Sequence, residues 1–192
     1  MKRTSYLLLV AALIACLQTL RATTVIPPSF DQLVGQAEVI FQGNVSDVRS
    51  AWLGEGADRH IESYITFTVE DALKGDPGQS YTMRMFGGTV GDQSMGISDA
   101  PKFKVGDRDI LFVENNGSQV VPLVGIMFGR FHVESDQSGQ DVVTHNEGEP
   151  IKNVARLGRE MDEASPSTDA AEPNMTAGAF KAAVKIKLQA AQ

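Results

Sequence analysis

The feature that most constrains this chain is the alternation beginning at Ile61. Ile61, Ile65, Phe67 and Val69 place apolar side chains on one phase, while Glu62, Thr66, Thr68 and Glu70 place polar ones on the other. Successive side chains of a strand point to opposite faces, so this pattern predicts a strand with one buried and one wet face. The same period recurs in short runs along the chain. After the turn Lys74, Gly75, Asp76, Pro77, Gly78, Tyr81, Met83 and Met85 alternate with Thr82 and Arg84. Val39, Phe41, Gly43 and Val45 alternate with Ile40, Gln42, Asn44 and Ser46 until the apolar phase slips to Val48, which predicts a bulge eased by Gly43. Ile110 to Val113 is apolar on both phases, and Val120 to Val124 carries Pro122, which predicts an edge strand or a bulge. Phe131 and Val133 alternate with Arg130, His132 and Glu134, predicting a solvated polar row. Val142 and Val143 follow a turn at Ser138 and Gly139. Seven or so short strands punctuated by glycine predict an all-β domain, a barrel or alternatively a two-sheet sandwich.

Helical spacing is confined to the flanks. Phe30, Leu33, Val34 and Ala37 predict a brief helix capped by Ser29. A second helix is predicted from the Thr176 cap, with Phe180, Val184 and Leu188 in a stripe bordered by Lys181, Lys185 and Lys187. That narrow stripe reads as a helix docking on its own domain, ahead of one that meets a membrane or a partner. An earlier helix over Ile151 to Met161 is also expected. From Ala164 to Asn174 the composition turns to Ala, Ser, Pro, Asp and Glu, which cannot bury a core and reads as a flexible linker.

At the N-terminus, Lys2 and Arg3 precede an apolar run from Leu7 to Ala15, the pattern of a secretory leader. Gln18, Thr19 and Arg21 interrupt it well short of the roughly 20 residues that span a bilayer. Cleavage after Ala22 would leave Thr23 first. The competing reading takes Leu13 to Cys16 as a lipobox, with Cys16 acylated as a lipid anchor. The chain therefore divides into a leader at 1–22, a β-rich domain at 23–162, a linker at 163–175 and a C-terminal helix at 176–192, with export as the expected fate.

Loss of the leader removes three of the 17 basic side chains and leaves the 24 acidic ones, a net charge of −10. Phosphate binding needs clustered cations, so nucleic acid is not an expected partner. Cys16 is the sole cysteine and lies in the leader, so disulfides, thiolate metal sites and cysteine nucleophiles are excluded together from the mature chain.

The motifs of chemistry are sparse. His60, His132 and His145 lie far apart, without the i, i+4 pairing of a helical metal site. Ser94, in Asp92-Gln93-Ser94-Met95-Gly96, approaches a nucleophile elbow, but that motif needs a strand-to-helix turn in an α/β fold. Gly87-Gly88-Thr89-Val90-Gly91 lacks the lysine and the helix of a phosphate loop. Asp136 to Asp141 has the alternating oxygens of a calcium loop but too few ligands, and Gly139 suits a hairpin turn. No catalytic residue, metal or cofactor is expected. The glycine-punctuated stretch from 87 to 106 is longer than most connections, and such loops either carry function or are surface insertions with a short strand of their own.

Thr23-Thr24-Val25-Ile26-Pro27-Pro28, with Ala37 to Gly43 after it, resembles the opening of a netrin-like module of the kind found in tissue inhibitors of metalloproteinases. The strand ending Leu73-Lys74-Gly75, and Val105-Gly106-Asp107 before Ile110 to Val113, are similar to elements of that family in the same order. Pro27-Pro28, Leu73 to Gly75, Gly87 to Gly91 and Pro101, Phe103 and Gly106 also resemble elements of uncharacterised secreted bacterial proteins. The first resemblance implies a small OB-like barrel with a short N-terminal helix and one or two C-terminal helices. It also implies a partner-binding segment at Thr23, Thr24, Val25, Ile26 and Pro27. There Thr23 would offer its amine and carbonyl to a protease zinc, Thr24 would enter the specificity pocket, and Pro27 and Pro28 would stiffen the chain beyond them. The inhibitors anchor this segment by disulfides at positions matching Thr23 and Val25, which this chain lacks. The expected function is an exported, non-enzymatic module that binds another protein. An inhibitor or companion of a secreted metalloprotease is the sharper variant, and an undetected hydrolase the outsider.

Overall fold

The computed structural model describes residues 26–98, 100–158 and 172–191. The leader, Thr23 to Val25 and most of the linker lie outside them. Helix α1 (Phe30–Gln36) opens the described chain and is followed by β1 (Val39–Leu53), β2 (His60–Lys74) and β3 (Ser80–Phe86). A small hairpin, β4 (Gly88–Val90) and β5 (Gln93–Met95), comes next. Strands β6 (Arg108–Val113), β7 (Arg130–Ser135) and β8 (Asp141–His145) complete the β structure, and α2 (Ala177–Ala190) closes the chain.

Six strands form one antiparallel sheet in the order β3-β2-β1-β6-β7-β8, and β4 pairs only with β5. The fold is mostly β, as the alternation predicts. Barrel closure is not found: β3 and β8 end the sheet on opposite sides and do not pair. Each outer strand is capped by irregular chain instead. Along β3, Asn116 accepts from the Arg84 amide and donates to the Thr82 carbonyl, and the Val120 carbonyl accepts from the Phe86 amide. Along β8, the Val143 amide donates to Met175, the Ile151 amide to Val143, and the His145 amide to Glu149. Met175, within the segment read as linker, is thus part of the body.

The sheet carries two cores, one on each face. On the helix face, Ile40, Ile110, Phe112, Phe131, Val133 and Val143 pack beneath α1 and α2. Phe180 of α2 meets the rings of Phe131, Phe30 and Phe112 at 4.9, 6.0 and 6.2 Å. On the opposite face, Phe41, Val45, Ile65, Phe67, Met83, Met85, Leu111 and Val113 are covered by Ala100, Phe103, Val121, Leu123 and Ile126. Ile110 to Val113 therefore feeds both cores in alternation, the reason it is apolar on both phases.

Both helices follow their sequence signals. Ser29 caps α1 in a reciprocal capping box with Gln32, and Thr176 caps α2 through the Ala179 amide. Register shifts in β1 fall at Ile40/Phe41, Gln42/Gly43 and Val45/Asp47, around the predicted bulge. Gly43 is required there, because a Cβ would lie 2.8 Å from the Thr68 carbonyl oxygen.

Three expectations are corrected. Val120 to Val124 is not a strand: it makes a single bridge from Leu123 to Val113, and its side chains lie in both cores, Val121 and Leu123 in one and Val124 in the other. Between Ile151 and Gly158 the helix reduces to a 3₁₀ turn at Val154–Arg156, capped by Asn153. Arg130 does not stand in a solvated row; it is 2 % exposed. No helix among the described residues is long and apolar enough to cross a membrane.

Candidate functional site

The 87–106 segment, singled out by length, resolves into two parts with different attachments. Its first part is the β4–β5 hairpin. Gly87 and Gly88 form the root, with φ of 95° and 137°. The Gly87 amide donates to Ile61, and Ser63 Oγ donates to the Gly87 carbonyl at 2.7 Å. A Cβ at Gly88 would collide with the hydroxyls of Ser50 and Ser63. The glycine run is thus a hinge laid on a serine pair, and no phosphate-binding helix opens from it. Gly91, at φ 61°, makes the tip.

In a hairpin with two loop residues, the pair flanking the loop exchanges both backbone bonds, so the next pair turns its amides and carbonyls outward. Here that pair is Thr89 and Ser94, whose hydroxyls sit 2.8 Å apart. Gln93, Ser94 and Met95 are all exposed. The outer backbone groups of Ser94 have no protein partner among the described residues. With Ser94 in the middle of a strand, the nucleophile-elbow geometry is absent. Met95 and Ile97 stay on the surface at 37 % and 42 % exposure, and Val105 at 66 %.

The second part, from Ala100 on, is a strap over the sheet, and a buried charge cluster holds it. The β6–β7 ladder sets Asp109 opposite His132 and Leu111 opposite Arg130, on the face the strap covers. Arg130 donates from Nη1 to the Lys102 carbonyl at 2.7 Å and from Nη2 to Asp107 at 2.7 Å and Asp109 at 2.9 Å. Its guanidinium also lies 3.9 Å from the centre of the Phe103 ring. Phe103 then meets Phe67 edge-on at 5.6 Å. His132 Nδ1 is 2.8 Å from the other oxygen of Asp109, near enough for an ion pair but outside hydrogen-bond alignment. Two carboxylates around one guanidinium offset the cost of burying these ions. Its bonds to the Lys102 carbonyl and Asp107, and its contact with Phe103, make Arg130 a clamp on the strap.

The other candidates lie apart. His60 stacks on Phe86 at 5.8 Å and meets Glu62, and its pKa is raised first by the Asp58 carbonyl and then by that carboxylate. His145 leans on Phe131 at 6.0 Å, with its pKa lowered by burial. No group of three His, Cys, Asp or Glu able to hold a metal occurs among the described residues. Asp136 Oδ1 accepts from the Ser138 hydroxyl, the Ser138 amide and the Gln140 amide, and these bonds depress its pKa. Its carboxylate thus serves the hairpin turn, and Asp141 pairs with Arg108 at 2.8 Å.

Of the partner-binding residues that the resemblance implies, Thr23, Thr24 and Val25 lie outside the described residues. Ile26 is 75 % exposed and Pro27 partly so. Immediately after them, Pro28 is held against Gly125, where even a Cβ would come within 3.1 Å of the ring. The sequence reading missed Asp107, Asp109, Arg130 and Phe103 as a unit. The available signal was the phase of Asp109, which falls with Leu111 and Val113 on a buried face. No protein-family model, curated protein or solved structure matches the chain.

Proposed function

We propose that this protein is an exported, non-enzymatic module that binds another protein through the β4–β5 hairpin. The observation that carries this reading is the contrast between strand edges. The outer edges of β3 and β8 are covered by specific backbone and side-chain bonds, whereas the outward amide and carbonyl of exposed Ser94 in β5 have no partner among the described residues. An unpaired edge is a template for another chain, and proteins ordinarily blunt it with lysine, proline or a bulge. Gln93, Ser94 and Met95 carry none of these, and Met95 and Ile97 add apolar contact area beside them. Backbone pairing would supply affinity, and the flanking side chains would supply specificity.

The test is affinity capture from the extracellular fraction of the producing cells. A partner retained by the native chain is expected to be lost with Ser94→Pro, which blocks the outward amide, and with Met95→Asp. Equal capture by both variants overturns the hairpin as the binding element.

A second reading has its own support. Pro28 is pinned on the body while Ile26 is exposed, so a segment ahead of it would emerge from a fixed point without a disulfide. The resemblance to netrin-like inhibitors would make that segment a wedge for a protease zinc. Protein beginning at Thr23 is then expected to inhibit secreted zinc proteases, and one added N-terminal alanine to abolish it. Equal potency of the two forms removes chelation from consideration.

A further inference from the structure

Away from the hairpin, α1, the end of β2 and the last turns of α2 enclose a cleft of about 590 Å³. Its walls include Val34, Leu73 and Leu188, which are apolar, together with the ammonium-bearing chains of Lys74, Lys185 and Lys187. Ligand sites of small molecules fall in the range of roughly 300 to 1,000 Å³ and combine apolar walls with a few polar anchors. The charge here runs against the rest of the molecule. Lys181, outside the cleft lining, shares Asp71 with Lys185, so four of the chain's eight lysines lie in the cleft or beside it.

Among the described residues, two carboxylates answer these four ammonium groups. Asp71 is shared by Lys181 at 3.0 Å and Lys185 at 3.7 Å, and Asp31 takes Lys187 at 2.6 Å. Lys74 donates to the Val34 and Gly35 carbonyls at the end of α1. Each ammonium carries three N–H donors, so these contacts leave donor capacity on every one. Lys185, half exposed and at the longest distance, is the least committed.

We propose that this cleft binds a small amphipathic carboxylate: an aliphatic chain along Val34, Leu73 and Leu188, with its carboxylate at Lys185 and Lys187. The apolar walls exclude a bare inorganic anion as the intended ligand, since it would leave them wet. The surplus of ammonium groups excludes a cationic amphiphile of the same shape. This inference is independent of the hairpin reading, because the cleft and β5 share no residue.

The test titrates the full chain from Thr23 with decanoate below its micelle concentration, following backbone amide resonances. Saturable shifts are expected at Val34, Leu73, Lys74 and Leu188, with none from decyltrimethylammonium and none comparable from inorganic phosphate. Lys185→Glu is expected to weaken decanoate binding about tenfold, the scale of one charge-assisted contact turned repulsive. Ala191→Asp, an exposed change on the cleft wall, should act in the same direction. Both variants are checked for an unchanged melting temperature. Absence of saturation, shifts located elsewhere, equal response to the cationic amphiphile or to phosphate, or wild-type affinity in both variants would each overturn the proposal.

Discussion

Arg130 decides how the strap lies. A guanidinium stays protonated at any working pH, so a nearly inaccessible one must be surrounded by acceptors, and Asp107, Asp109 and the Lys102 carbonyl supply them. Arg130→Met would leave Asp109 as a buried carboxylate without its guanidinium, and the expected loss is about 3–5 kcal/mol in urea denaturation. The same change frees the Lys102 carbonyl, so trypsin is expected to cut after Lys102 and Lys104 in the variant long before it cuts the native chain. Unchanged cleavage there would mean that Phe103, and not the arginine, holds the strap. None of this is legible in the alternation of Arg130 with Phe131. Alternation says that two faces differ; it does not say that the second face is covered. The cover comes from Ala100 and Phe103 together with Val121, Leu123 and Ile126, stretches with no periodicity to announce burial.

At the scale of elements, local chemistry is legible in the sequence and long-range closure is not. The Ser29 and Thr176 caps, the Gly43 bulge and the alternation from Ile61 each depend on neighbours in the chain. Capping of β3 by Asn116 joins residues 32 to 34 positions apart, and nothing near Asn116 marks it as a strand surrogate. Val120 to Val124 departs from expectation for a related reason: its apolar run reflects a lid between two cores, which composition cannot separate from a strand. Strand β8 carries a titratable element of its own. Burial holds His145 below its ordinary value near 6.5, so the unfolded chain takes up that proton first as pH falls. Its contribution to stability is complete above about pH 6.5 and is lost toward the lower folded pKa. His145→Asn is expected to flatten the stability profile between about pH 7 and 5. His60, raised by Asp58 and Glu62, acts in the opposite sense: its contribution is present below pH 6.5 and is lost as pH rises through the folded value, so His60→Asn should steepen the acid-side fall.

For the whole molecule, the C-terminal helix is part of the body. Phe180 and Val184 are fully buried, and Phe180 touches aromatic rings from α1, β6 and β7. Phe180→Ala is expected to cost about 3–5 kcal/mol, measured by the urea midpoint, with the helix-face core loosened and the strap face intact. A change confined to the helix signal, with the global midpoint unmoved, would show that α2 frays independently. The stripe of Phe180, Val184 and Leu188 does predict docking. Its partner, α1, lies far upstream in the sequence and could be supplied only by the fold.

That pairing of the first helix with the last sets an order of events during synthesis. A ribosome delivers Phe30 long before Phe180, so the helix-face core stays open until α2 has been made. Contacts between such distant positions also form slowly once both are present. A nascent chain without α2 cannot seal its helix-face core, and the arrival of Phe180 acts as the latch that closes it.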